Sequence, residues 1–461
     1  ISKRIGVVIT THGFWGVLVR QCVESYIREF SDDIYIVLYV NESTDKITLD
    51  LEKRFSNIEY IYIKDQTQFG GLTGTWNAGI DKCFEKGRDL IILSNDDIMF
   101  DSSIMHVCKE ASITPLNELK YFGPVTNNPG PALCNTVQFA LKPKSHMSPF
   151  TCEYENKLVN VNGFLMIFPK HVLLANKFNN KYYFDPKYPF GGNETEWFNR
   201  FIKLGGKPIV VPQTFVYHYK IARWREDMKS NNMCMYTINT GRYEGDNINL
   251  SSPICKKIGV DPLYFTDNWK IVYKCIQLDI TPFYFSTKNS DPKLLQRTIK
   301  TSPHAYIPHQ YDTSLYIDGN VYFIPSEKNI VSIKKYLTTA HDLICFKHPN
   351  RRSVEEEGHI VLLNNLETKE HIDKIKVRYT KDNFNDDQGL TETNVLIRKH
   401  KNLIKFSSEW VECIGICRRD QISFDYLVWK HHIKAVKLTY KEKIRLFDKT
   451  HHINTKNRYV K

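Results

Sequence analysis

Four short apolar runs in the first hundred residues, each stopping at a polar cluster, set the tightest limit on what this chain can fold into. Residues 5–10 (IGVVIT), 34–40 (IYIVLYV), 58–63 (IEYIYI) and 90–93 (LIIL) are too short for buried helices and rich in β-branched side chains. Runs of this kind predict parallel strands covered on both faces. Between them, residues 16–30 and 74–86 carry helical spacing. Strands alternating with helices specify a βαβ sheet, and such sheets bind ligands outside the carboxyl ends of their strands. The polar groups there are Thr10-Thr11-His12, Asn41-Glu42 and Ser94-Asn95-Asp96-Asp97.

The remaining chain extends this pattern. Residues 160–168 (NVNGFLMIF) predict another strand, a Gly-rich loop at 189–193 leads into a helix, and 208–219 predict a last strand or pair of strands. At roughly 100–200 residues per domain, 461 residues imply two or three domains. The stretch 223–252 is polar and poor in aliphatic runs. It places the first domain at 1–245, a linker at 246–268, and a second α/β domain with a basic tail at 269–461. Strands of the second domain are expected at 314–323, 343–346 and 394–397.

The net charge of +12 is spread along the chain with local clusters such as Lys334-Lys335. No arginine-rich arm, zinc-finger spacing or RNA-binding aromatic signature accompanies it, which argues against nucleic acid as partner. A solvated basic surface, attraction for anionic donors, and peripheral association with an anionic membrane all fit the charge. The 11 cysteines are an odd number without CxxC pairs, and read as buried free thiols of a reducing compartment. Neither a signal peptide nor an apolar run of about 20 residues is present. The expected location is therefore cytoplasmic, including a cytoplasmic membrane face. The first residue is not methionine, which suggests a processed or trimmed chain.

An acidic pair at a strand end suits a hard divalent cation, Mn²⁺ or Mg²⁺, and a cation there can bridge the phosphates of a nucleotide-linked donor. Asp-Asp after a strand is also a common turn or helix cap, so the pair alone does not decide. Its surroundings do more. The succession Val7 to His12, Tyr39 to Ser43, Gly70-Gly71 to Ile80, and Leu93 to Asp97 resembles the family 2 glycosyltransferases. Later segments match in order: Gly163 to Ile167, Phe184-Asp185 followed by Glu194-Thr195-Glu196-Trp197 and Arg200, and His218. The resemblance covers roughly residues 4–220 and implies a GT-A-type (Rossmann-like) mixed sheet flanked by helices. It implies a nucleotide-binding role for Thr10, His12, Asn41, Glu42, Asn77, Ser94 and Asn95. Asp96, with Asp97 and His218, would hold the metal. Glu194 or Glu196 would be the catalytic base, with inversion at the anomeric carbon. One branch of the family reads Asp-Thr-Glu-Trp where this chain has Glu194 to Trp197, which tilts the donor toward a UDP- or dTDP-sugar; the acceptor would be a glycan or glycoconjugate. From the residues alone, both glutamates also suit a helix N-terminus, Trp197 is a sugar platform or a core residue, and His218 a ligand or a core histidine.

In the second half, Asp318-Gly319-Asn320, His348-Pro349-Asn350-Arg351-Arg352, Gly389 to Asn394 and Arg419-Asp420-Gln421-Ile422-Ser423-Phe424 look like a second glycosyltransferase-like family, linked to plant pectic and bacterial polysaccharide synthesis. That resemblance covers roughly residues 290–430 and implies two such domains in tandem. Asp318 would be a metal or donor residue, His348, Arg351 and Arg352 phosphate contacts, and Asp420 a second base. The competing reading of Arg418-Arg419-Asp420 is an internal ion-pair network. For the whole chain the leading expectation is a two-centre, nucleotide-sugar-dependent transferase. The reading from another class is a carbohydrate-binding or scaffolding protein with a degenerate transferase domain. A nucleotidyltransferase is disfavoured because no Gly-rich, Lys/Arg-bearing phosphate loop follows the first strand.

Overall fold

The computed structural model describes residues 4–12, 16–30, 34–41, 58–64, 67–130, 137–219, 232–241, 244–288, 290–386 and 389–450. The chain divides into two units, Ile1–Arg223 and Trp224–Lys461.

The strands of unit 1 are β1 (Ile5–His12), β2 (Tyr35–Asn41), β3 (Ile58–Ile63), β4 (Leu90–Ser94), β5 (Ile98–Phe100), β6 (Lys120–Thr126), the short β7 (Phe150–Thr151), β8 (Glu153–Tyr154) and β9 (Lys157–Leu158), β10 (Leu165–Pro169) and β11 (Lys207–His218). Its helices are α1 (Gly16–Phe30), α2 (Gly71–Glu85), α3 (Ile104–Ser112), α4 (Lys170–Ala175) and α5 (Asn193–Lys203). Among the described residues, nine strands form one sheet in the order β3-β2-β1-β4-β10-β6-β11-β5, with β7 beside β11. Neighbours among β1 to β4 are parallel, and β10 turns the sheet antiparallel at β4.

Burial on both faces explains the unbroken apolar runs. Val7 and Ile9 pack with Cys22, Val23 and Tyr26 of α1 on one side. On the other side α2 approaches so closely that a Cβ on Gly79 would lie 2.5 Å from Val8. The register pairs Ile9 with Ser94 and His12 with Asn41, so the ends of β1, β2 and β4 share one edge. At the far side, Trp197 of α5 is buried among Tyr121, Phe168, Phe184 and Phe201, with ring centroids 4.8–5.9 Å away. It is a core residue, not a sugar platform.

The strand expected at 160–168 is shorter than its composition suggests. Val161 N donates to the Tyr121 hydroxyl (3.2 Å), Asn162 N to Gln138 Oε1 (2.8 Å) and Phe164 N to Asn162 Oδ1 (3.3 Å). Side chains take the backbone donors that a ladder would use, and pairing begins only at Leu165.

Unit 2 contains β12 (Met233–Asn239), β13 (Asp261–Thr266), β14 (Thr281–Tyr284), β15 (Thr313–Ile317), β16 (Val321–Phe323), β17 (Leu343–Lys347), β18 (Thr391–Lys399), β19 (Ala435–Leu438) and β20 (Phe447–Lys449). Its helices are α6 (Ser252–Ile258), α7 (Trp269–Gln277), α8 (Pro292–Thr301), α9 (Glu327–Leu337), α10 (Val354–Leu363), α11 (Lys369–Asp382), α12 (Ile404–Ile416), α13 (Asp420–Lys430) and α14 (Tyr440–Leu446). The main sheet runs β14-β13-β12-β15-β18-β17-β19, and β16 pairs with β20. The first four are parallel and β18 is antiparallel to β15. Both units therefore share one plan: the first strand has the second and third on one side, the fourth on the other, and an antiparallel strand next to the fourth. The helix-flanked mixed sheet is present twice.

The expected domain boundary and linker do not match this architecture. Residues 233–239 form β12, at the centre of the parallel half, and 246–268 contain α6 and β13. Surrounding Asn and Ser residues gave this stretch a polar average, although Leu263, Tyr264 and Phe265 are fully buried. The run expected at 314–323 is likewise two strands, broken where Val321 N turns back to the Asp318 carbonyl (2.9 Å). Ten of the 11 cysteines are described, and all ten are buried free thiols. Among the described residues no helix is long and apolar enough to cross a membrane.

Trp197→Ala removes the centre of the aromatic cluster and is expected to destabilise unit 1 by about 3–5 kcal/mol. Urea unfolding of the full chain measures it, and a loss below about 1 kcal/mol would show that the ring does not carry the core.

Candidate functional site

In the order β3-β2-β1-β4 the chain leaves β1 on one side and returns on the other, so the switch point lies between the carboxyl ends of β1 and β4. Ser94 closes β4 and starts the turn that holds Asp96 and Asp97. Its hydroxyl donates to the Asn95 carbonyl (2.8 Å) and it is buried, so it shapes the turn rather than facing a ligand. The Asn95 N–H donates to the Phe164 carbonyl (2.8 Å), which brings the Gly163-Phe164 segment against the acidic turn.

Asp96 and Asp97 are half-buried. Burial, and then the like charge of Asp97, push the Asp96 carboxyl well above the usual carboxylate range. His218, at the end of β11, is stacked on Phe164 with ring centroids 4.9 Å apart and planes 19° apart. Asn127 grips its backbone on both sides, accepting from His218 N at 2.8 Å and donating to its carbonyl at 3.2 Å. The ring Nδ1 lies 3.1 Å from the Asn128 carbonyl, which can only accept, so Nδ1 carries the hydrogen. In the neutral ring, Nε2 then turns a lone pair toward Asp97 Oδ1, 3.3 Å away. That carboxylate oxygen is buried and takes no hydrogen bond from the described residues. Two electron-rich atoms facing each other call for a proton or a cation between them. One imidazole nitrogen and two carboxylates, with the second imidazole nitrogen anchored on a carbonyl, suit a divalent cation. Among the described residues no three His, Cys, Asp or Glu side chains are already gathered as a metal cage.

Helix α5 opens at Gly192, whose φ of 79° lies in the left-handed region that favours glycine. Its first turn carries both candidate bases, and the structure separates them. Glu196 forms a two-point pair with Arg200, with Nε to Oε1 at 2.6 Å and Nη2 to Oε2 at 3.1 Å. Arg200 is held in turn by the Tyr183 and Asn176 carbonyls. Among the described residues Glu194 has no cationic partner. Its carboxyl lies against Gly163, where a Cβ would come within 1.9 Å of Oε1. Burial raises it to about 7, opposed by the Gly163 backbone hydrogen bond. Gly163-Phe164 thus has Glu194 on one residue and His218 on the next, with Asn95 bonded to it.

The other expected residues of this unit divide. Thr10 Oγ1 meets Thr75 Oγ1 at 3.0 Å and stays half-exposed at the strand end. His12 and Asn41 end their strands, but their side chains, and the whole of Glu42, lie outside the described residues. Asn77 is not available to a nucleotide. Its Nδ2 donates to the Phe184 carbonyl (2.9 Å) and its Oδ1 accepts from Tyr183 N (3.0 Å) and Phe184 N (2.9 Å), so it clamps a loop. Two features went unread in the sequence. Gly163 must lack a side chain to admit Glu194, and Phe190 exposes 56% of its surface in the loop before α5. The Pro189 to Asn193 loop was visible as a loop; nothing in its pattern pointed to the ring.

Unit 2 arranges its expected residues differently. Asp420 is buried, with Oδ2 2.5 Å from Lys300 Nζ and Oδ1 3.0 Å from Arg297 Nη1, and accepts from Thr393 Oγ1 at 2.6 Å. Burial alone would raise its carboxyl, but Arg297, Lys300 and Arg419 hold it far below the usual range. A carboxylate so stabilised is a poor proton acceptor, so Asp420 is a structural counter-ion rather than the expected base. Asp318 accepts from the Tyr316 hydroxyl (2.5 Å) with the Lys300 ammonium 3.6 Å away. A fixed cation already faces it, which disfavours a metal. Arg351 and Arg419 both contact the fully buried Glu357, at 2.7 and 3.1 Å. His348 Nδ1 accepts from Asn350 N (3.1 Å) and Arg351 N (2.9 Å), and burial, then Arg351, lower its ring to about 4. Arg352 has an exposed side chain, and its N–H donates to Glu356 Oε2 (2.7 Å) ahead of α10. The phosphate contacts expected of His348 and Arg351 give way to a turn and an internal ion-pair network.

No protein-family model matches the chain, and no curated protein matches it. Among solved structures, a crystal structure of GalNAc-T7 with UDP, GalNAc and Mn²⁺ is similar over 46% of this chain and 43% of that one, with 16% identity and a TM-score of 0.35. A crystal structure of S. aureus TarS 1-349 is similar over 47% of this chain and 60% of that one, with 12% identity and a TM-score of 0.33. The chain spans less than two thirds of either, and likenesses this distant leave function to the residues.

Asp420→Asn leaves Lys300 and Arg297 without their shared counter-ion. A loss of about 3–5 kcal/mol in urea unfolding is expected, as for other broken buried pairs. A variant within about 0.5 kcal/mol of the parent would show that the aspartate is not structural.

Proposed function

We propose that unit 1 transfers a sugar from a nucleotide-sugar donor to a hydroxyl group of a glycan or glycoconjugate acceptor, with inversion. The observation that carries this reading is a half-buried Glu194, with no ion-pair partner among the described residues, near the Asp96-Asp97-His218 cluster at the switch point. Asp96, Asp97 and His218 would hold a divalent cation, Mn²⁺ or Mg²⁺, which supplies charge neutralisation for the donor diphosphate. Thr10, His12, Asn41 and Glu42 follow the strands that flank this point and suit the nucleoside; UDP- and dTDP-sugars are the donor class.

Glu194 receives the proton. As the acceptor oxygen bonds to the anomeric carbon, its proton passes to the carboxylate. The bond from that carbon to the diphosphate oxygen breaks, and the electron pair leaves with the nucleoside diphosphate. Burial favours this direction, because a carboxyl raised to about 7 takes up a proton more readily than a solvated one. Glu196 is excluded from the role by Arg200, which neutralises it and fixes its orientation. For unit 2 the ion pairs at Asp420 and Glu357 occupy the residues expected there as base and phosphate fork. The bifunctional reading therefore loses support to a single centre.

Glu194→Gln should lower kcat by about 10²–10⁴-fold while donor affinity stays within a few-fold. Glu196→Gln should act chiefly on stability. A donor-hydrolysis and transfer assay over a panel of sugar nucleotides with Mn²⁺ separates the two. If the wild-type chain turns over none of them yet binds glycans, unit 1 is a binding module.

Glu194 also predicts two pH effects. Only the ionised form accepts a proton, so kcat/KM should climb with pH through about 7. The folded value is raised, so the stability this group contributes is complete below its unfolded value of about 4.5 and is lost as pH rises through about 7. Glu194→Gln should accordingly gain stability relative to the parent between pH 5 and 8, by differential unfolding at each pH. Identical pH profiles would remove Glu194 from the role.

Gly163→Ala puts a methyl where the Glu194 carboxyl now sits. Because that carboxyl is the end of a flexible chain, Tm should move little while kcat falls at least tenfold. Unchanged turnover would mean that the carboxyl position does not matter.

A further inference from the structure

Helices α9 and α14 lie antiparallel on unit 2 and are tied at three points. Asn329 Nδ2 donates to the Arg445 carbonyl (2.8 Å), Arg445 Nη2 to Ser332 Oγ (3.4 Å), and the Tyr336 hydroxyl to Glu442 Oε1 (3.5 Å). Ile333 and Leu337 of α9 and Leu446 of α14 point into the core. Helical spacing then sends Lys328, Val331 and Lys335 of α9, and Lys441 and Ile444 of α14, to the opposite, solvent side. All five are exposed.

This face combines exposed apolar side chains with clustered positive charge. Val331 exposes 67% of its surface, Ile444 52% and Tyr440 40%, so aliphatic and aromatic groups stand uncovered. Around them Lys328, Lys334, Lys335, Lys441 and Arg445 supply positive charge against Glu327 and Glu442. Glu442 is occupied as the cap of α14, where its Oε2 accepts from Thr439 N and Oγ1, each at 3.0 Å.

We infer that this face docks on an anionic lipid surface. Ammonium and guanidinium groups meet lipid phosphates there, while short aliphatic tips enter the headgroup boundary. A nucleic acid would satisfy the cations and leave Val331 and Ile444 in water. An acidic protein surface would do the same unless it presented apolar groups at matching places. Only the bilayer supplies both components over an area without further shape requirements.

Co-sedimentation of the full chain with mixed phosphatidylglycerol–phosphatidylcholine vesicles tests this. Binding is expected to these and not to phosphatidylcholine alone, and to weaken as salt rises. Val331→Ser with Ile444→Ser leaves the net charge unchanged and should lower partitioning about tenfold. Lys335→Glu with Lys441→Glu should lower it about tenfold or more. All four positions are exposed, and circular dichroism checks that the variants fold. Absence of binding to anionic vesicles overturns the inference. So does partitioning that survives the serine pair, or tighter binding to a homopolymeric RNA than to the vesicles.

Discussion

The hydrogen bond from Asn95 N to the Phe164 carbonyl is the contact on which the site of unit 1 depends. It fastens the end of β4 to the segment just before β10. That segment can be approached closely because Gly163 has no side chain and because the preceding backbone is held by Tyr121, Gln138 and Asn162 rather than by a strand ladder. One face then receives the Glu194 carboxyl and the next residue supports the His218 ring. Three distant parts of the sequence, on β4, α5 and β11, are thereby brought to a single crossing. If the crossing shifted, the acidic turn, Glu194 and the histidine would separate together.

The two units make an instructive pair because they have one strand order and opposite electrostatics at the same edge. In unit 1 no lysine or arginine among the described residues pairs with the acids after β4. Their charge is left to mutual repulsion and to His218, a condition that a bound cation would relieve. In unit 2 the acid after β15 faces Lys300, whose ammonium also serves Asp420 and sits 5.1 Å from the centre of the Tyr316 ring. Lys443 and Lys449 do the same for Glu392. Neutralisation is built into the second edge and left open in the first. A shared fold need not carry shared chemistry, because function resides in strand-end residues rather than in the sheet.

The sheet was legible because burial on both faces writes itself into sequence as continuous apolar runs, and the edge was legible because each run stops at polar residues. β12 and β13 were harder to read, since their six or seven residues sit between Asn- and Ser-rich turns and are lost in any average over a longer window. The roles of side chains were less legible still. Asn77 and Ser94 are polar, near the edge and in the right order, yet their hydrogen bonds point inward. Asp420 shares that history: an Asp beside two arginines reads equally as a base awaiting activation or as a neutralised ion. Which it is depends on Lys300 and Arg297, more than a hundred residues earlier, and no spacing encodes that.

Glu194 and Glu196 show how one short motif can settle what its letters leave open. Two positions apart on a helix, their side chains leave the axis about 200° apart. Glu196 has Arg200 four residues later on its own face, and the i,i+4 geometry makes a pair between them almost unavoidable. Glu194 has no basic residue three or four positions on, only Trp197 and Phe198, so its helix offers it no counter-charge. It must find its environment in the fold, and finds the bare backbone of Gly163. The same turn thus makes one glutamate a strut for Tyr183 and Asn176 through Arg200, and leaves the other with a raised proton affinity near the carboxyl edge of the sheet. The asymmetry follows from helix periodicity and the placement of one arginine. It would persist under any substitution that preserved both, including aspartate at 194, whose shorter side chain would stop one methylene short of the same glycine.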